Sequence, residues 1–302
     1  MLPLIYHSQY SALTLPEKHR YPINKYRLLF EAVFHSELRK KVSIHQPIRS
    51  DIAKIKAIHD SEYVDDLLFN RLPAAKMRRI GFPWSDQLIT RTLLSTGGTQ
   101  LTVDLALEHG IAIHLSGGYH HAHHDFGSGF CLFNDLAIAA KHALSYSHID
   151  KVMIIDCDVH HGDGTATLLA NDPNIITFSV HCDKNFPARK PDSDIDLALE
   201  RNTSTDDYLA ALQGILPLLL AQHQPDLVIY DAGVDIHQHD ELGYFDISKQ
   251  GLYQRDHYIL TQSKAQNIPV AAVIGGGYRT NHQDLVELHL QLIHAALLVH
   301  NK

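Results

Sequence analysis

The stretch Lys151-Val-Met-Ile-Ile-Asp-Cys-Asp-Val-His-His-Gly-Asp-Gly164 starts as a short apolar run and ends in a cluster of ionisable residues. Unbroken apolar character over so few residues predicts a parallel strand buried on both faces. The change at Asp156 puts the polar groups at the carboxyl end of that strand, where open α/β sheets collect their chemistry. In extended backbone alternate side chains share a face, so Asp156, Asp158 and His160 are expected to project together. Three such groups beside a buried strand cost free energy unless something binds them, and a divalent cation is the economical partner.

Similar runs recur on either side. Residues 111–115, 175–180, 227–230 and 270–274 have the same strand character, and residues 23–40, 86–109, 134–147, 205–222, 248–266 and 281–299 have helical character. Asn134 and Ser248 are well placed as N-caps. This alternation predicts an α/β fold, a three-layer α/β/α sandwich around a mainly parallel sheet. No repeat, low-complexity tract or linker is visible, so residues 1–302 are expected to form a single domain. Residues 182–202, polar and containing Pro187 and Pro191, are expected to be a long functional loop.

The 302 residues carry 26 Lys+Arg against 34 Asp+Glu, a formal charge of −8, with no Lys/Arg-rich run. A nucleic-acid binder needs a basic footprint, so no direct nucleic-acid partner is expected. An acidic surface gives a weak bias towards cationic substrates, such as a lysine-rich peptide or a polyamine. Cys131, Cys157 and Cys182 are too few and too irregular for a disulfide framework or a CxxC metal site, which suits a reducing cytoplasm. Residues 1–6 lack the pattern of a signal peptide, and no apolar run is long enough for a membrane span.

The 24 histidines are the unusual count. Most read as surface residues, but some fall in motifs that follow the strand runs. Asp158 and His160 supply one carboxylate and one imidazole, and Asp235, after a later strand, is the best third ligand. Three protein ligands with an open position is the arrangement of catalytic zinc. Two carboxylate ligands cancel the zinc charge, so a separate general base is needed. His120 and His121, adjacent on a glycine-rich turn, can serve if carboxylates fix their tautomers, and Asp156 and Asp163 are the unassigned acids nearby. In Gly275-Gly-Gly-Tyr278 the glycines admit backbone close to the site, and the Tyr278 hydroxyl offers a donor to a developing oxyanion.

Five segments together resemble the zinc-dependent histone deacetylase family of the arginase–deacetylase superfamily. They are Gly-Gly-Tyr-His-His-Ala (117–122), Gly-Phe-Cys-Leu-Phe-Asn-Asp (129–135), Asp-Cys-Asp-Val-His-His-Gly-Asp-Gly (156–164), Ala-Gly-Val-Asp (232–235) and Gly-Gly-Gly-Tyr (275–278). The resemblance implies one zinc on Asp158, His160 and Asp235, and His120 and His121 oriented by Asp156 and Asp163 respectively. It also implies Tyr278 polarising the substrate carbonyl, and a tunnel walled by Phe130 and lined by Gly129. A structural potassium is implied near Asp156, drawing on backbone oxygens of Asp158, His160, Ser179 and Val180. Residues 81–85 and 185–190 look most like class IV enzymes and their bacterial relatives. The chain departs from class I members at Phe186-Pro-Ala-Arg, which makes Phe186 only a candidate for the second wall. Leu242 stands seven residues after Asp235, where polyamine-selective relatives carry a glutamate, with Glu241 beside it.

The function these residues imply is hydrolysis of an N-acyl amide, foremost deacetylation or deacylation of acyl-lysine in a peptide or protein. The alternatives are an acetylpolyamine or small-amide amidohydrolase, an arginase-like ureohydrolase with two manganese ions, and a non-catalytic acyl-lysine-binding module. His123, His124, His237 and His239 are expected to be surface or supporting residues, and His161 and His181 structural hydrogen-bonding residues. Cys157, on the alternate face of the metal motif, is expected to be a buried apolar filler.

Overall fold

Eight strands, β1 (Leu2–Ile5), β2 (Val42–His45), β3 (Ile111–His114), β4 (Val152–Asp156), β5 (Ile175–Cys182), β6 (Ile195–Leu199), β7 (Leu227–Asp231) and β8 (Val270–Val273), form one sheet in the computed structural model. It describes residues 1–301, and Lys302, the last residue of the expected 1–302 unit, lies outside the described residues. The strand order is β2-β1-β3-β8-β7-β4-β5-β6, and every pairing is parallel. The five strands expected from the apolar runs are present. They are buried throughout, which is why their sequences run apolar instead of alternating.

Among the described residues ten α-helices complete the layers: α1 (Lys25–Phe34), α2 (Ile52–Lys56), α3 (Ser61–Leu68), α4 (Ala74–Ile80), α5 (Asp86–His109), α6 (Asp135–Ala143), α7 (Asp163–Leu169), α8 (Thr205–His223), α9 (Lys249–Ala265) and α10 (Gln283–His300). Alternate strand residues feed two separate cores. Ile154, Ile229, Ala271 and Val273 join one with residues of α5 and α6, while Met153, Val228, Tyr230 and Ala272 join the other with residues of α8, α9 and α10. The three-layer α/β sandwich is thus built as expected. Asn134 and Ser248 cap α6 and α9, accepting hydrogen bonds from Ala137 N and Gly251 N.

The structure corrects two readings and adds two strands. Residues 182–202 are not all loop, because β6 lies within them as an edge strand that alternates between half-buried and exposed residues. The expected helix at 23–40 is α1 followed by a separate 3-10 turn at Glu37–Lys40, restarted by Ser36, whose side chain accepts from Leu38 N. Strands β1 and β2 were not expected, because Pro3 interrupts the first and the second alternates apolar and polar residues while largely half-buried.

One side chain ties the sheet to the loops above it. Arg255, fully buried on α9, donates to the carbonyls of Cys157, Ala232 and Gly233, and pairs with Asp256 at 2.9 Å. It thereby joins the segments that follow β4 and β7. Arg255→Ala leaves Asp256 buried without its cation, so unfolding free energy should fall by about 3–5 kcal/mol. A urea midpoint equal to that of the parent protein would refute this assignment.

Candidate active site

The motif-bearing loops follow β3, β8, β7 and β4, which are four adjacent strands at the centre of the sheet. Their carboxyl ends are level, since Asp156 pairs with Asp231 and both His114 and Asp231 pair with Val273. Residues distant in sequence therefore meet at one rim.

Strand β4 stops at Asp156, and the period-two alternation stops with it. Asp156, Asp158 and His160 consequently do not share one cluster. Asp158, His160 and Asp235 form one group of possible metal ligands, while Asp156 lies in another with His120 and Asp231. In the first, His160 Nδ1 lies 2.9 Å from Asp158 Oδ1 and 3.2 Å from Asp235 Oδ2. The outer oxygens are held by backbone: Gly276 N donates to Asp158 Oδ2 and Val159 N to Asp235 Oδ1, both at 2.9 Å. A Cβ at Gly276 would collide with both carboxylates, so only glycine brings its N–H this close.

This donor set suits a divalent cation. Both carboxylates are buried, and Asp235 Oδ2 has no hydrogen-bond partner. Burial, then the neighbouring Asp158 charge, pushes the Asp235 carboxyl up to about 6. Two carboxylates, one imidazole and an unsatisfied oxygen are the chemistry of a metal centre with an open position.

The histidine pair lies beside it. His120 Nδ1 is 2.7 Å from Asp156 Oδ2, His121 Nδ1 is 2.6 Å from Asp163 Oδ1, and the two Nε2 atoms are 3.1 Å apart. Their environments push them in opposite directions. Burial opposes charge on His120, but the Asp156 and Asp158 carboxylates outweigh it and hold the imidazole well above its ordinary range. Burial and the nearby His120 charge bring His121 down to about 3. One ring is thus held charged and the other neutral.

Tyr278, Phe130, Phe186, Leu242, His121 and His160 line one cavity of about 500 Å³. Phe186 packs edge-on against His121 with ring centres 4.8 Å apart, which brings the candidate second wall to the site. Its loop is gathered by Lys190, whose ammonium donates to the carbonyls of Asp183, Asn185 and Pro187 at 2.8–2.9 Å. Gly129 also lines the cavity. Its positive φ of 52° and a Cβ position 2.6 Å from His121 Cδ2 both demand glycine. Burial and the two metal-site carboxylates raise the Tyr278 hydroxyl well above its usual range, so it stays a donor.

Several expected supporting roles are visible. Cys157 is fully buried, and Asp156 and Ser179 are lateral neighbours on β4 and β5. His161 Nε2 lies 3.2 Å from Asp196, and His181 Nδ1 lies 3.0 Å from Ser179 Oγ. His123 reaches Asp163 from the side opposite His121, at 3.0 Å.

Three residues near the site escaped sequence reasoning. Asp240 accepts from Tyr278 N at 2.7 Å and from Leu242 N and Gly243 N, so one carboxylate clamps the Tyr278 backbone to the loop after Asp235. Lys25, from α1, donates to Gly275 O at 2.8 Å. Asp231 is buried with neither carboxyl oxygen bonded, and burial with Asp156 and Asp158 raises it well above the carboxylate range. Asp240 stands five residues after Asp235 and Asp231 just before the 232–235 motif, which was the only signal available.

The chain is similar to known proteins over most of its length. The histone deacetylase domain model matches residues 19–293. An uncharacterized protein of Picosynechococcus sp. is 44% identical over 97% of both chains. Histone deacetylase 2 of Arabidopsis thaliana is 30% identical, covering 91% of this chain and 74% of its own. The acetoin utilization protein AcuC of Staphylococcus aureus is 25% identical, covering 85% and 72%. The crystal structure of the HDA15 HD domain shares the fold, with a TM-score of 0.81 at 19% identity over 98% of this chain and 90% of that one. A family model spanning so much of the sequence leaves one assignment: this chain is a deacetylase-type hydrolase and belongs to the histone deacetylase family of the arginase–deacetylase superfamily.

Proposed function

We propose that this protein is a zinc-dependent deacylase acting on acyl-lysine in a peptide or protein, with residues 1–302 forming one catalytic domain of the class IV-like or bacterial branch. The observation that carries this reading is convergence: a group of three possible metal ligands and two histidine–aspartate pairs meet at one cavity, which His121, His160 and the Tyr278 hydroxyl line. Asp158, His160 and Asp235 would hold the zinc, which when bound supplies a Lewis acid and acidifies water. A structural potassium is proposed beside Asp156 and Ser179, which end two paired strands. No helix among the described residues is long and apolar enough to cross a membrane, and a cytoplasmic setting is proposed.

In the proposed reaction the side chain of the acylated lysine lies between Phe130 and Phe186, over Gly129 and beside Leu242. Tyr278 donates its hydroxyl hydrogen to the carbonyl oxygen as negative charge builds there. His121 takes the proton of the attacking water at Nε2, while its Nδ1–H remains bonded to Asp163. It then returns that proton to the departing amine. His120, held charged by Asp156, stabilises the negative charge of the tetrahedral state. The opposite pKa directions of the two imidazoles support this division.

Hydrolysis of a panel comprising acetyl-lysine peptide, long-chain acyl-lysine peptide and acetylpolyamine, each with and without a hydroxamate, tests the reading. Hydroxamate-sensitive release from an acyl-lysine peptide is expected, and silence of the zinc-loaded protein on both peptides would refute it. Tyr278→Phe should keep its zinc but lose about 100- to 1,000-fold in kcat, the scale of one oxyanion donor. Asp158→Ala should lose stoichiometric zinc by elemental analysis while keeping its far-ultraviolet circular dichroism. Lys190→Met frees three carbonyls behind Phe186 and should cut kcat/KM about 10- to 100-fold by displacing that wall; unchanged kinetics would show that the wall holds without it.

A further inference from the structure

The site cavity does not end at its aromatic walls. A second groove of about 610 Å³ adjoins it and shares Gly129, Phe130 and Phe186 with it. Arg79 and Arg189 line this groove, and Arg20 lines the site cavity. All three are exposed. The arginine ion pairs of the chain are those of Arg27, Arg71, Arg255 and Arg279, so among the described residues these three guanidiniums have no carboxylate partner.

The acids in the two linings are already engaged. Glu241 accepts from Thr280 N and Thr280 Oγ1. Asp163 is held between His121 and His123. Arg79 is also held in place: its guanidinium lies 3.8 Å over the Phe126 ring, and Phe126 stacks on His123 at 4.3 Å. That stack reaches back to Asp163. Three guanidiniums against the carboxylates of Asp163 and Glu241 leave the two linings net positive in a chain of formal charge −8.

Resting on the acyl-lysine reading above, we propose that this groove recognises acidic residues flanking the acylated lysine. An extended peptide advances about 3.3–3.6 Å per residue, so neighbours of a lysine inserted between Phe130 and Phe186 fall within reach of Arg79 and Arg189. A guanidinium fixed on an aromatic face gives up little freedom on pairing with a carboxylate. A basic mouth also disfavours a polyamine, whose remaining ammonium groups would meet like charge.

The test compares two acetyl-lysine peptides that differ only in carrying Asp or Lys at the two positions on each side. The native enzyme should favour the Asp peptide in kcat/KM by about 5- to 10-fold at low salt, the scale of two exposed ion pairs. The advantage should lie in KM and shrink as salt is raised. It should disappear in the Arg79→Ala/Arg189→Ala double variant and largely survive in the corresponding lysine pair, which keeps the charge. Equal rates, a preference for the Lys peptide, or a preference untouched by the alanine pair would overturn the proposal. Fluorescence anisotropy of both labelled peptides is measured alongside. Absent turnover would then count against the hydrolase reading, while the affinity ratio still decides the groove.

Discussion

Negative charge taken out of water at the carboxyl ends of two parallel strands, β4 and β7, governs this molecule. Asp156, Asp158, Asp231 and Asp235 are all buried within the same rim, a placement that costs several kcal/mol per unpaired ion. Each is offset differently. Asp156 faces the His120 imidazole, Asp158 and Asp235 face His160 and the backbone N–H groups of Gly276 and Val159, and Asp231 is driven towards its neutral form. Lys25 adds a cation from α1, bonded to Gly275 O. The excess of carboxylate that remains around Asp158 and Asp235 is what makes a divalent cation fit there.

Such a rim needs a rigid support, because carboxylates at close quarters repel and would otherwise move apart. Arg255 supplies it from below by donating to carbonyls on both ligand-bearing loops. Asp240 supplies it from the side by binding the backbone of Tyr278, Leu242 and Gly243. Residues that never touch a substrate thus set the distances between those that would. The aromatic wall is maintained separately, with Lys190 collecting three carbonyls around Phe186.

Much of the fold was legible because the five long-buried strands are apolar on both faces and their helices carry side-chain caps at Asn134 and Ser248. The strands that escaped were short or exposed on an edge. β6 alternates over only five residues inside a polar segment with two prolines nearby, β1 contains Pro3, and β2 mixes apolar and polar residues. The site was legible where its residues are contiguous motifs. Strand alternation alone put Asp156 with Asp158 and His160, whereas the family resemblance had already set it beside His120. The strand ends at that residue, and nothing local announces the change of backbone direction.

The sequence by itself determined the strand-then-ionisable pattern, the parallel α/β class and the identity of the histidines, aspartates and tyrosine at the site, because hydrophobic periodicity and residue chemistry are local properties. Only the tertiary structure decided how far apart these groups stand, that Asp240, Lys25 and Asp231 belong to the same rim, and that the mouth is basic in an acidic chain. Those depend on strand order: β3, β8, β7 and β4 become neighbours although up to 159 residues separate their starts, β3 at residue 111 and β8 at residue 270. Desolvation and Coulomb interactions act through space between such neighbours, so their outcome is carried by no single stretch of the chain.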